Sequence, residues 1–532
     1  MHILKKHKLL IFIFLLTFIG GIFRFYNLNW GSPFYFHPDE RNIASSVASI
    51  NFPNQMNPHF FAYGSFPIYL IYVTSLVLDL FLKSQDLFMQ AIVISRFYSS
   101  ILSLSLIPSV FFVGTKLYNR KVGLLAAAFC TFSVGFIQFA HFGTFEMWLT
   151  FLGVWFFYFS LRLVKNLNLK NIVIAGVVFG LLLSTKISSL PLFILPVITI
   201  ILNLLSRIKI RKMHLLLLKI FLKTLILIFV SLIIFTAFSP YVFLDFKSFL
   251  SSMQYESSVV LGTLPVFYTG EFFNSIPVLF QFTKIYPFLL NPILTIIFIP
   301  SFLYLCFKGI KTKNPQYLIL NTFYLILFLP QAFLFAKWTR YIVPTLPFMY
   351  LIIAIFLEKF ISKKILSIML ISVVFAGSYF ITAFINQDTR VEASLWAKEN
   401  IPAKSIVLSE VYDMGIVPFN QYLRNITLFN FYDLDQSQKI KSLELKNALA
   451  GNEYIILPSP RISKTRLLNK EKFPYAYKFY FNLMNKTSRY QKVYETPCDI
   501  FCKISYLGNP VYAFEQTTNV FDRPTVFIFK KI

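Results

Sequence analysis

Long apolar runs dominate this chain and decide what it can fold into. Runs of about 17 to 25 residues, long enough for a helix to cross a bilayer, recur through its first three quarters. They are residues 8–23, 92–115, 122–140, 147–163, 171–187, 188–206, 218–238, 286–307, 315–336, 341–357 and 365–384. The pattern predicts a polytopic α-helical membrane protein with about eleven transmembrane helices.

The composition excludes a soluble protein. Hydrophobic residues make up 56% of the 532 residues and charged residues only 14%, against roughly a quarter charged in an average soluble domain. A net charge of +27 would suit nucleic acid, but the Lys and Arg residues form short clusters between apolar runs, which is how membrane topology is encoded. We expect a lipid bilayer and no nucleic acid among the partners.

The basic clusters also predict the topology. A twelfth apolar stretch, residues 66–82, contains Asp79. If this stretch does not cross, every basic cluster falls on the cytoplasmic side, the one at 207–212 included, so we expect an interfacial or re-entrant helix on the outer leaflet. The first run is expected to be retained as a helix, because no small-residue cleavage site follows it. A multi-pass plasma-membrane protein results, with its N-terminus cytoplasmic and its C-terminal domain extracytoplasmic.

Acidic residues divide the chain in two, since nine of the 23 precede residue 386 and fourteen follow it. We expect residues 1–385 to form the transmembrane domain, with a first outer loop at 24–91 that holds interfacial helices and a lid-like outer loop at 240–285. Residues 386–532 are expected to form an extracytoplasmic mixed α/β domain, because a helical segment precedes β-branched or aromatic runs at 405–409, 454–457 and 525–529.

The four cysteines are too sparse for a zinc site. Cys130 and Cys306 lie inside apolar runs, and Cys498 and Cys502 lie in the C-terminal part. A Cys498–Cys502 disulfide and two free thiols are both open from the spacing, and free thiols are favoured.

An adjacent acid pair, Asp39 and Glu40, follows the first apolar run within the polar cluster 36–41. A carboxylate in such a place can accept a proton from a hydroxyl as a general base. The alternative is a solvated loop in which Asp39 caps the helix that starts at Arg41. The residues alone leave both interpretations open.

Glu146 begins the fourth apolar run at the outer interface, where an ionisable residue is costly unless it has a partner or a role. Together with His141 and Glu40 it offers ligands for a divalent metal ion, but one histidine and scattered carboxylates are a weak signal. The alternative is an acid that the helix dipole favours. A metal cofactor therefore stays open.

Three cations stand at the outer ends of apolar runs: Arg96, Lys186 and Arg340. Because the positive-inside rule would place Lys186 at the opposite end, an anionic partner is expected there, and a lipid phosphate fits. Snorkelling to headgroups is the alternative for Lys186, and helix anchoring is the alternative for the two arginines. Tyr341 beside Arg340 is typical of an interface-belt aromatic residue.

Taken in order, these residues resemble the GT-C superfamily of glycosyltransferases that use polyprenyl-phosphate sugars, in the branch related to protein O-mannosyltransferases and the lipid A aminoarabinose transferase. The resemblance runs along nearly the whole chain and rests on weak motifs in a constant order. They are residues 37–40, 63–67, 95–96, 118–123, 185–186, 337–341, 388–390, 514–515 and 520–524.

The resemblance implies a membrane enzyme that transfers a sugar from a polyprenyl-phosphate donor to an acceptor hydroxyl on the outer face, with inversion and without a nucleotide. It assigns Asp39 as general base with Glu40 assisting it. It assigns neutralisation of the donor phosphate to Lys186, Arg96 and Arg340.

The remaining implied substrate contacts are His37, Glu146 and Tyr341, although the superfamily commonly has Asp where this chain has Glu146. The acceptor is a glycolipid, a glycan or a protein. A polysaccharide polymerase or ligase acting on lipid-linked glycans is the alternative enzyme, and it would place key Arg and His residues in later loops. A transporter of lipid-linked sugars would need polar residues at mid-span, whereas the ionisable groups here cluster at the outer ends.

Overall fold

The computed structural model describes residues 2–82, 86–206, 213–411, 414–436 and 438–532. The basic cluster at 207–212 lies outside these residues. The membrane half is helical, with α1 (His2–Phe25), α2 (Pro38–Ala48), α3 (Ser65–Leu82), α4 (Leu87–Leu117), α5 (Arg120–Thr131), α6 (Val134–Ala140), α7 (Glu146–Lys165), α8 (Leu169–Thr185), α9 (Ile194–Leu205), α10 (Met213–Phe238), α11 (Tyr241–Leu244), α12 (Phe246–Leu261), α13 (Tyr286–Leu289), α14 (Pro292–Thr312), α15 (Pro315–Phe333), α16 (Thr339–Ile342), α17 (Leu346–Phe360), α18 (Lys363–Phe380) and α19 (Thr382–Ile385).

Eight helical stretches in the described part of the chain are long and apolar enough to cross a membrane. They are Leu87–Leu117, Glu146–Lys165, Ile187–Leu205, Met213–Phe238, Pro292–Thr312, Pro315–Phe333, Thr339–Phe360 and Lys363–Ile385. Helices α5 and α6 add a ninth if their 54° bend is taken within one span, and shorter apolar helices lie at Leu9–Phe25, Ser65–Phe81 and Leu169–Thr185. The polytopic helical fold class is confirmed, while the side that faces the cytoplasm stays a prediction.

The C-terminal part is a mixed α/β domain, as expected. Its elements are α20 (Thr389–Asn400), β1 (Ile406–Glu410), β2 (Asn425–Phe429), α21 (Gln438–Gly451), β3 (Tyr454–Leu457), α22 (Arg461–Leu468), α23 (Pro474–Met484), β4 (Tyr490–Glu495), α24 (Ile500–Ser505) and β5 (Phe527–Lys531). The five strands form one sheet in the order β2-β1-β3-β5-β4. Strand β1 is parallel to β2 and β3, whereas β5 is antiparallel to β3 and β4.

The two strands at the edges of this sheet, β2 and β4, were not predicted. Most of their residues remain partly or fully exposed, because an edge strand buries little apolar surface. The three inner strands correspond to the predicted runs. The structure joins Cys498 and Cys502 in a disulfide, with their Cα atoms 5.2 Å apart, where the sequence favoured two free thiols.

Helix α3 has both ends at the end of the helix bundle that carries the C-terminal domain, which we call the domain end. Just before α3, the Gly64 N–H donates to the Thr185 carbonyl at the end of α8 (2.9 Å). Near its last turn, Asp79 accepts a hydrogen bond from Gln90 in the first turn of α4 (3.1 Å). That residues 66–82 do not cross the membrane stays a prediction.

The outer loop between α10 and α13 connects the two halves of the molecule. It contains α11, α12 and a 3₁₀ turn at Phe267–Phe272. Within that turn Glu271 forms a buried ion pair with Lys464 of the C-terminal domain (2.5 Å), and the Gly270 carbonyl accepts from Asn469 (3.0 Å). The loop is therefore an ordered part of the junction rather than a loose connection.

The first outer loop is tied to α4 by a fully buried ion pair between Glu40 and Arg96. The guanidinium donates to both carboxylate oxygens, at 2.9 and 2.6 Å, and the Gly143 N–H donates to the same carboxylate at 2.6 Å. Arg96 also donates to the carbonyls of Leu28 and Trp30, both at 2.8 Å. One residue pair thus joins the loop after α1, helix α2 and helix α4.

Replacing Arg96 with leucine should lower the free energy of unfolding by about 3–5 kcal/mol, because Glu40 would stay buried without its partner charge. Arg41→Leu is the matched control, since Arg41 is half-buried and its guanidinium donates a single hydrogen bond among the described residues, to the Phe34 carbonyl (3.2 Å). Thermal unfolding of the purified protein in lipid nanodiscs measures both variants. An equal loss of stability in the two would contradict a special role for the buried pair.

Candidate active site

A cavity of about 1120 Å³ lies between the domain end of the helix bundle and the C-terminal domain. The membrane half supplies residues from α2, α12, the chain after α8 and the chain around α16. The C-terminal domain supplies the start of α22 and residues 516–521. The charged lining residues and the single lining histidine are His37, Asp39, Arg41, Glu146, Lys186, Glu256, Arg340 and Arg461.

Asp39 reaches this cavity from the first turn of α2. Pro38 occupies the first helical position and His37 the N-cap, so Asp39 is not the helix cap that the sequence allowed. Its carboxylate pairs with Arg340 and accepts a hydrogen bond from the Tyr63 hydroxyl (3.2 Å). Arg340 also donates to the Tyr63 hydroxyl (3.3 Å), so the three side chains form one closed network.

The surroundings of Asp39 keep it ionised. Burial alone would raise its pKa, but Arg340 and His37, the bond from Tyr63 and the charge of Lys186 together hold the pKa below its usual value. Burial lowers the pKa of the neighbouring His37, whose ring packs between Phe142 and Phe521. The pair therefore presents an anionic carboxylate beside a neutral imidazole at neutral pH.

Tyr63 is held in place by a close approach of the backbone. The next residue is Gly64, and a Cβ atom there would lie 2.0 Å from the Ser184 carbonyl oxygen of α8. Only glycine allows the chain to pack this tightly against the end of α8. As a result Tyr63 stands beside Lys186, whose amino nitrogen is 5.1 Å from the Tyr63 ring centroid and 4.9 Å from that of Tyr341.

The charges of Lys186 and Glu146 attract each other. No direct ion pair at 4 Å or less joins the two side chains in the described part of the chain. Burial lowers the pKa of Lys186, against the opposing charges of Glu146, Asp39 and Glu256. Glu146 begins α7 and is only 2% exposed, yet neither of its carboxylate oxygens has a hydrogen-bond partner among the described residues. A buried carboxylate without partners is costly, so Glu146 is placed to bind a polar group in the cavity.

A smaller cavity of about 60 Å³ continues from this point between α7, α8 and α15. Glu146, Lys186 and Arg340 line its polar side. Its other walls include Leu182, Leu192 and Leu327. The cationic groups thus lie where a polar cavity meets an apolar one.

The structure brings six of the predicted site residues together in one cavity: His37, Asp39, Glu146, Lys186, Arg340 and Tyr341. It does not bring Glu40 and Arg96 there, because these two side chains are fully buried in their own ion pair. The placement differs from the expected assistance to Asp39 by Glu40 and the expected phosphate contact of Arg96. Adjacent residues on a helix point in different directions, so only one of the two acids faces the cavity.

The predicted metal candidates His141 and Glu146 do not share a site. Both ring nitrogens of His141 lie 2.8 Å from backbone carbonyl oxygens, those of Ile137 and Tyr26, and its ring stacks on Phe384. Within the described ranges, no three His, Cys, Asp or Glu side chains are grouped to hold a metal ion. His141, with both ring nitrogens bonded to backbone, is therefore not available as a metal ligand.

Among the lining residues that were not predicted are Tyr63, Glu256 and Arg461. Tyr63 lies in the motif at 63–67, and its glycine neighbour is the signal that points to a close approach. Glu256 on α12 is the one acid of that helix, and burial raises its pKa. Arg461 begins α22 and packs against the rings of Phe267 and Tyr268; nothing local in the sequence places it near Asp39.

No protein-family profile and no curated protein matches this chain. Among solved structures, the archaeal oligosaccharyltransferase AglB from Archaeoglobus fulgidus, in complex with an inhibitory peptide and a dolichol-phosphate, matches with a TM-score of 0.50 and 12% identity over 99% of this chain and 89% of that one. The same enzyme in complex with Zn and sulfate matches with a TM-score of 0.50 and 12% identity, over 98% and 88%.

ArnT from Cupriavidus metallidurans bound to undecaprenyl phosphate matches with a TM-score of 0.52 and 13% identity, over 87% of this chain and 94% of that one. AglB and ArnT are both GT-C superfamily members. At this level of identity the likeness concerns the fold, and it confirms that the chain has a GT-C fold with a C-terminal α/β domain.

Asp522, next to the cavity residue Phe521, gives the junction between the two halves a pH dependence. It accepts a hydrogen bond from Gln138 of α6 (3.2 Å), and burial raises its pKa from 3.8 to about 6. The cost of ionising this carboxyl in the folded state is therefore absent below about pH 4 and complete above about pH 6.

Asp522→Asn should remove this dependence. As the pH rises from 4 to 7, the wild type should lose up to about 3 kcal/mol of unfolding free energy relative to the variant, since one pKa unit corresponds to about 1.4 kcal/mol. Chemical denaturation at several pH values measures the difference. A difference between the two proteins that does not change with pH would contradict the raised pKa.

Proposed function

We propose that this chain is an integral-membrane glycosyltransferase, which moves a sugar from a polyprenyl-phosphate donor to a hydroxyl group of an acceptor with inversion at the anomeric carbon. The observation that carries the proposal is that an ionised carboxylate, Asp39, shares one cavity with Lys186 and Arg340. A base for a hydroxyl proton and two cations for a leaving phosphate are the groups that sugar transfer from a phosphate donor needs.

In this reaction the Asp39 carboxylate accepts the proton of the acceptor hydroxyl while the hydroxyl oxygen forms a bond to the anomeric carbon. The bond between that carbon and the phosphate oxygen breaks, and the polyprenyl phosphate leaves with its electron pair. Lys186 and Arg340 stabilise the negative charge that develops on the leaving phosphate. The proton ends on Asp39 and the electron pair on the leaving phosphate, so the reaction needs no nucleotide.

The ion pair between Asp39 and Arg340 links donor binding to base strength. In the free protein Arg340 helps to lower the pKa of Asp39. A donor phosphate that pairs with Arg340 weakens the attraction between Arg340 and Asp39. The pKa of Asp39 then rises, and the carboxylate becomes a stronger base. The base is thus strongest when the donor is bound.

The apolar part of the small cavity supports a lipid-linked donor. Its walls at Leu182, Leu192 and Leu327 begin beside Lys186, so a phosphate held by the cations has apolar side chains next to it, against which the first part of an isoprenoid chain can pack. AglB was solved with a dolichol-phosphate and ArnT with undecaprenyl phosphate. We assign the same class of ligand, a polyprenyl phosphate, to the place where Lys186 and Arg340 meet these apolar walls.

The acceptor is assigned to the other side of the cavity, where the C-terminal domain forms the wall. Glu146 and His37 are within reach as hydrogen-bonding groups for sugar or acceptor hydroxyls, since neither Glu146 oxygen nor His37 Nδ1 has a partner among the described residues. An acceptor hydroxyl on a glycolipid, a glycan or a protein fits this side of the cavity equally.

The size of the cavity favours one second candidate, a transferase that moves a lipid-linked oligosaccharide rather than a single sugar. About 1120 Å³ exceeds the range of roughly 300–1,000 Å³ that is typical of small-ligand pockets. The base and the phosphate-binding cations would keep their roles, and only the length of the transferred glycan would differ.

Transfer assays with a panel of radiolabelled polyprenyl-phosphate sugars test the proposal. Asp39→Asn should reduce transfer at least about a hundredfold, because the general base is lost. Asp86→Asn is the matched control, since Asp86 is an exposed helix cap of the same loop whose role asparagine can take over. Because the lowered pKa of Asp39 belongs to the free protein, kcat/KM for the donor should not fall between pH 8 and pH 5. Turnover by Asp39→Asn at the wild-type rate would refute the assignment.

Lys186→Ala should weaken binding of undecaprenyl phosphate about tenfold or more, because it removes one of the two cations at the phosphate. Lys247→Ala is the control, since Lys247 is exposed on α12 and does not line the cavity. Fluorescence titration in nanodiscs measures both dissociation constants. If the two variants bind equally well, Lys186 does not hold the phosphate.

A further inference from the structure

Arg340 stands on a very short helix that begins after a break in the chain. Helix α15 ends at Phe333, and α16 starts only at Thr339. The first N–H groups of a helix have no partner within the helix and need an acceptor from elsewhere. The preceding residue, Trp338, supplies none, because its side chain makes no capping hydrogen bond.

The acceptor comes from the C-terminal domain. Glu515 Oε2 accepts from the Thr339 backbone N–H at 3.2 Å and from the Thr339 hydroxyl at 2.5 Å. Both side chains are completely buried. These two hydrogen bonds hold Thr339, the first residue of α16, and thereby set where its neighbour Arg340 lies.

Glu515 is itself held from both sides of the junction. Its other carboxylate oxygen accepts from the Thr517 hydroxyl (2.9 Å), and its N–H donates to the Lys284 carbonyl in the membrane half (3.1 Å). The Lys284 amino group donates to the carbonyls of Tyr512 and Ala513 (3.0 and 3.2 Å). The segment that carries Glu515 is therefore anchored on the helix bundle rather than loosely apposed to it.

The same segment also forms part of the cavity wall. Gln516, Thr517, Val520 and Phe521 follow Glu515 and line the cavity. Phe521 packs against His37, with 4.2 Å between the ring centroids. One stretch of the C-terminal domain thus touches both the helix of Arg340 and the loop of Asp39.

We infer that Glu515 is a positioning residue for Arg340, through which the C-terminal domain sets the affinity of the membrane half for the donor phosphate. The inference rests on the proposed function for the identity of the phosphate, whereas the contact with Thr339 does not depend on it. Loss of the contact lets α16 shift, which moves the guanidinium away from both Asp39 and the phosphate.

Two substitutions at Thr339 separate the hydroxyl from the shape of the side chain. Thr339→Val removes the donor with little change in volume, and Thr339→Ser keeps it. With undecaprenyl phosphate as the probe and the full-length protein in nanodiscs, Thr339→Val should bind about ten times more weakly than the wild type, and Thr339→Ser should remain within about twofold.

Thr389→Val is the control for a merely structural effect. Thr389 is buried in the C-terminal domain and donates its hydroxyl to the Pro524 carbonyl (2.6 Å), and it is not among the residues that line the cavity. This variant should lower the melting temperature and leave the dissociation constant for undecaprenyl phosphate unchanged. Wild-type affinity in Thr339→Val, or an equal loss in Thr389→Val, would overturn the inference.

A second measurement needs no donor and distinguishes the two proposals. In the wild type the Thr339 amide should exchange slowly with deuterium, and in Glu515→Ala it should exchange at least about tenfold faster, with Arg340 displaced from Asp39 in a cryo-EM map. If the wild type fails to bind undecaprenyl phosphate, the proposed donor is wrong, and this measurement alone decides the role of Glu515. Slow exchange with Arg340 still beside Asp39 in Glu515→Ala would refute it.

Discussion

The buried ion pair between Glu40 and Arg96 is the constraint on which the site depends. Placing two charges in an apolar interior costs several kcal/mol for each ion. Only the attraction between the two charges, together with a full set of hydrogen bonds, compensates for this cost. Here the bidentate contact, the Gly143 N–H and two backbone carbonyls provide that set. Because Glu40 is fixed inward on the first turn of α2, its neighbour Asp39 is directed into the cavity.

Opposite charges in the cavity balance one another incompletely in the free protein. Asp39 and Arg340 are paired, whereas Glu146 has no hydrogen-bond partner among the described residues and Lys186 rests on two aromatic rings. Desolvated groups of this kind carry an energetic cost that a ligand can remove. A phosphate for Lys186 and hydroxyl groups for Glu146 would satisfy both, which is why the cavity is poised for a ligand with both features.

The sequence was sufficient for the fold class because bilayer length and the distribution of acids are properties of the chain itself. It also placed Lys186 and Arg340 at the ends of apolar runs, and the structure brings both to one cavity, whereas Arg96 from a similar position is paired with Glu40. It could not separate Asp39 from Glu40, because which of two adjacent acids turns inward depends on Arg96 being opposite. Nor could it place Arg461 or Glu515 at the site, because only tertiary packing brings residues so far along the chain to α2 and α16.

The C-terminal domain is best understood as one wall of the site. A helix bundle in a membrane can hold cations and a base at its surface, but the break before α16 leaves backbone donors that lipid cannot satisfy. Glu515 satisfies one of them, the Thr339 N–H, and Gln516, Thr517 and Phe521 of the same segment line the cavity. Since one segment both bonds to the start of α16 and lines the cavity, the two halves of the chain must assemble before Arg340 is in place. On the function proposed above, donor affinity and docking of the domain are coupled by the same few hydrogen bonds.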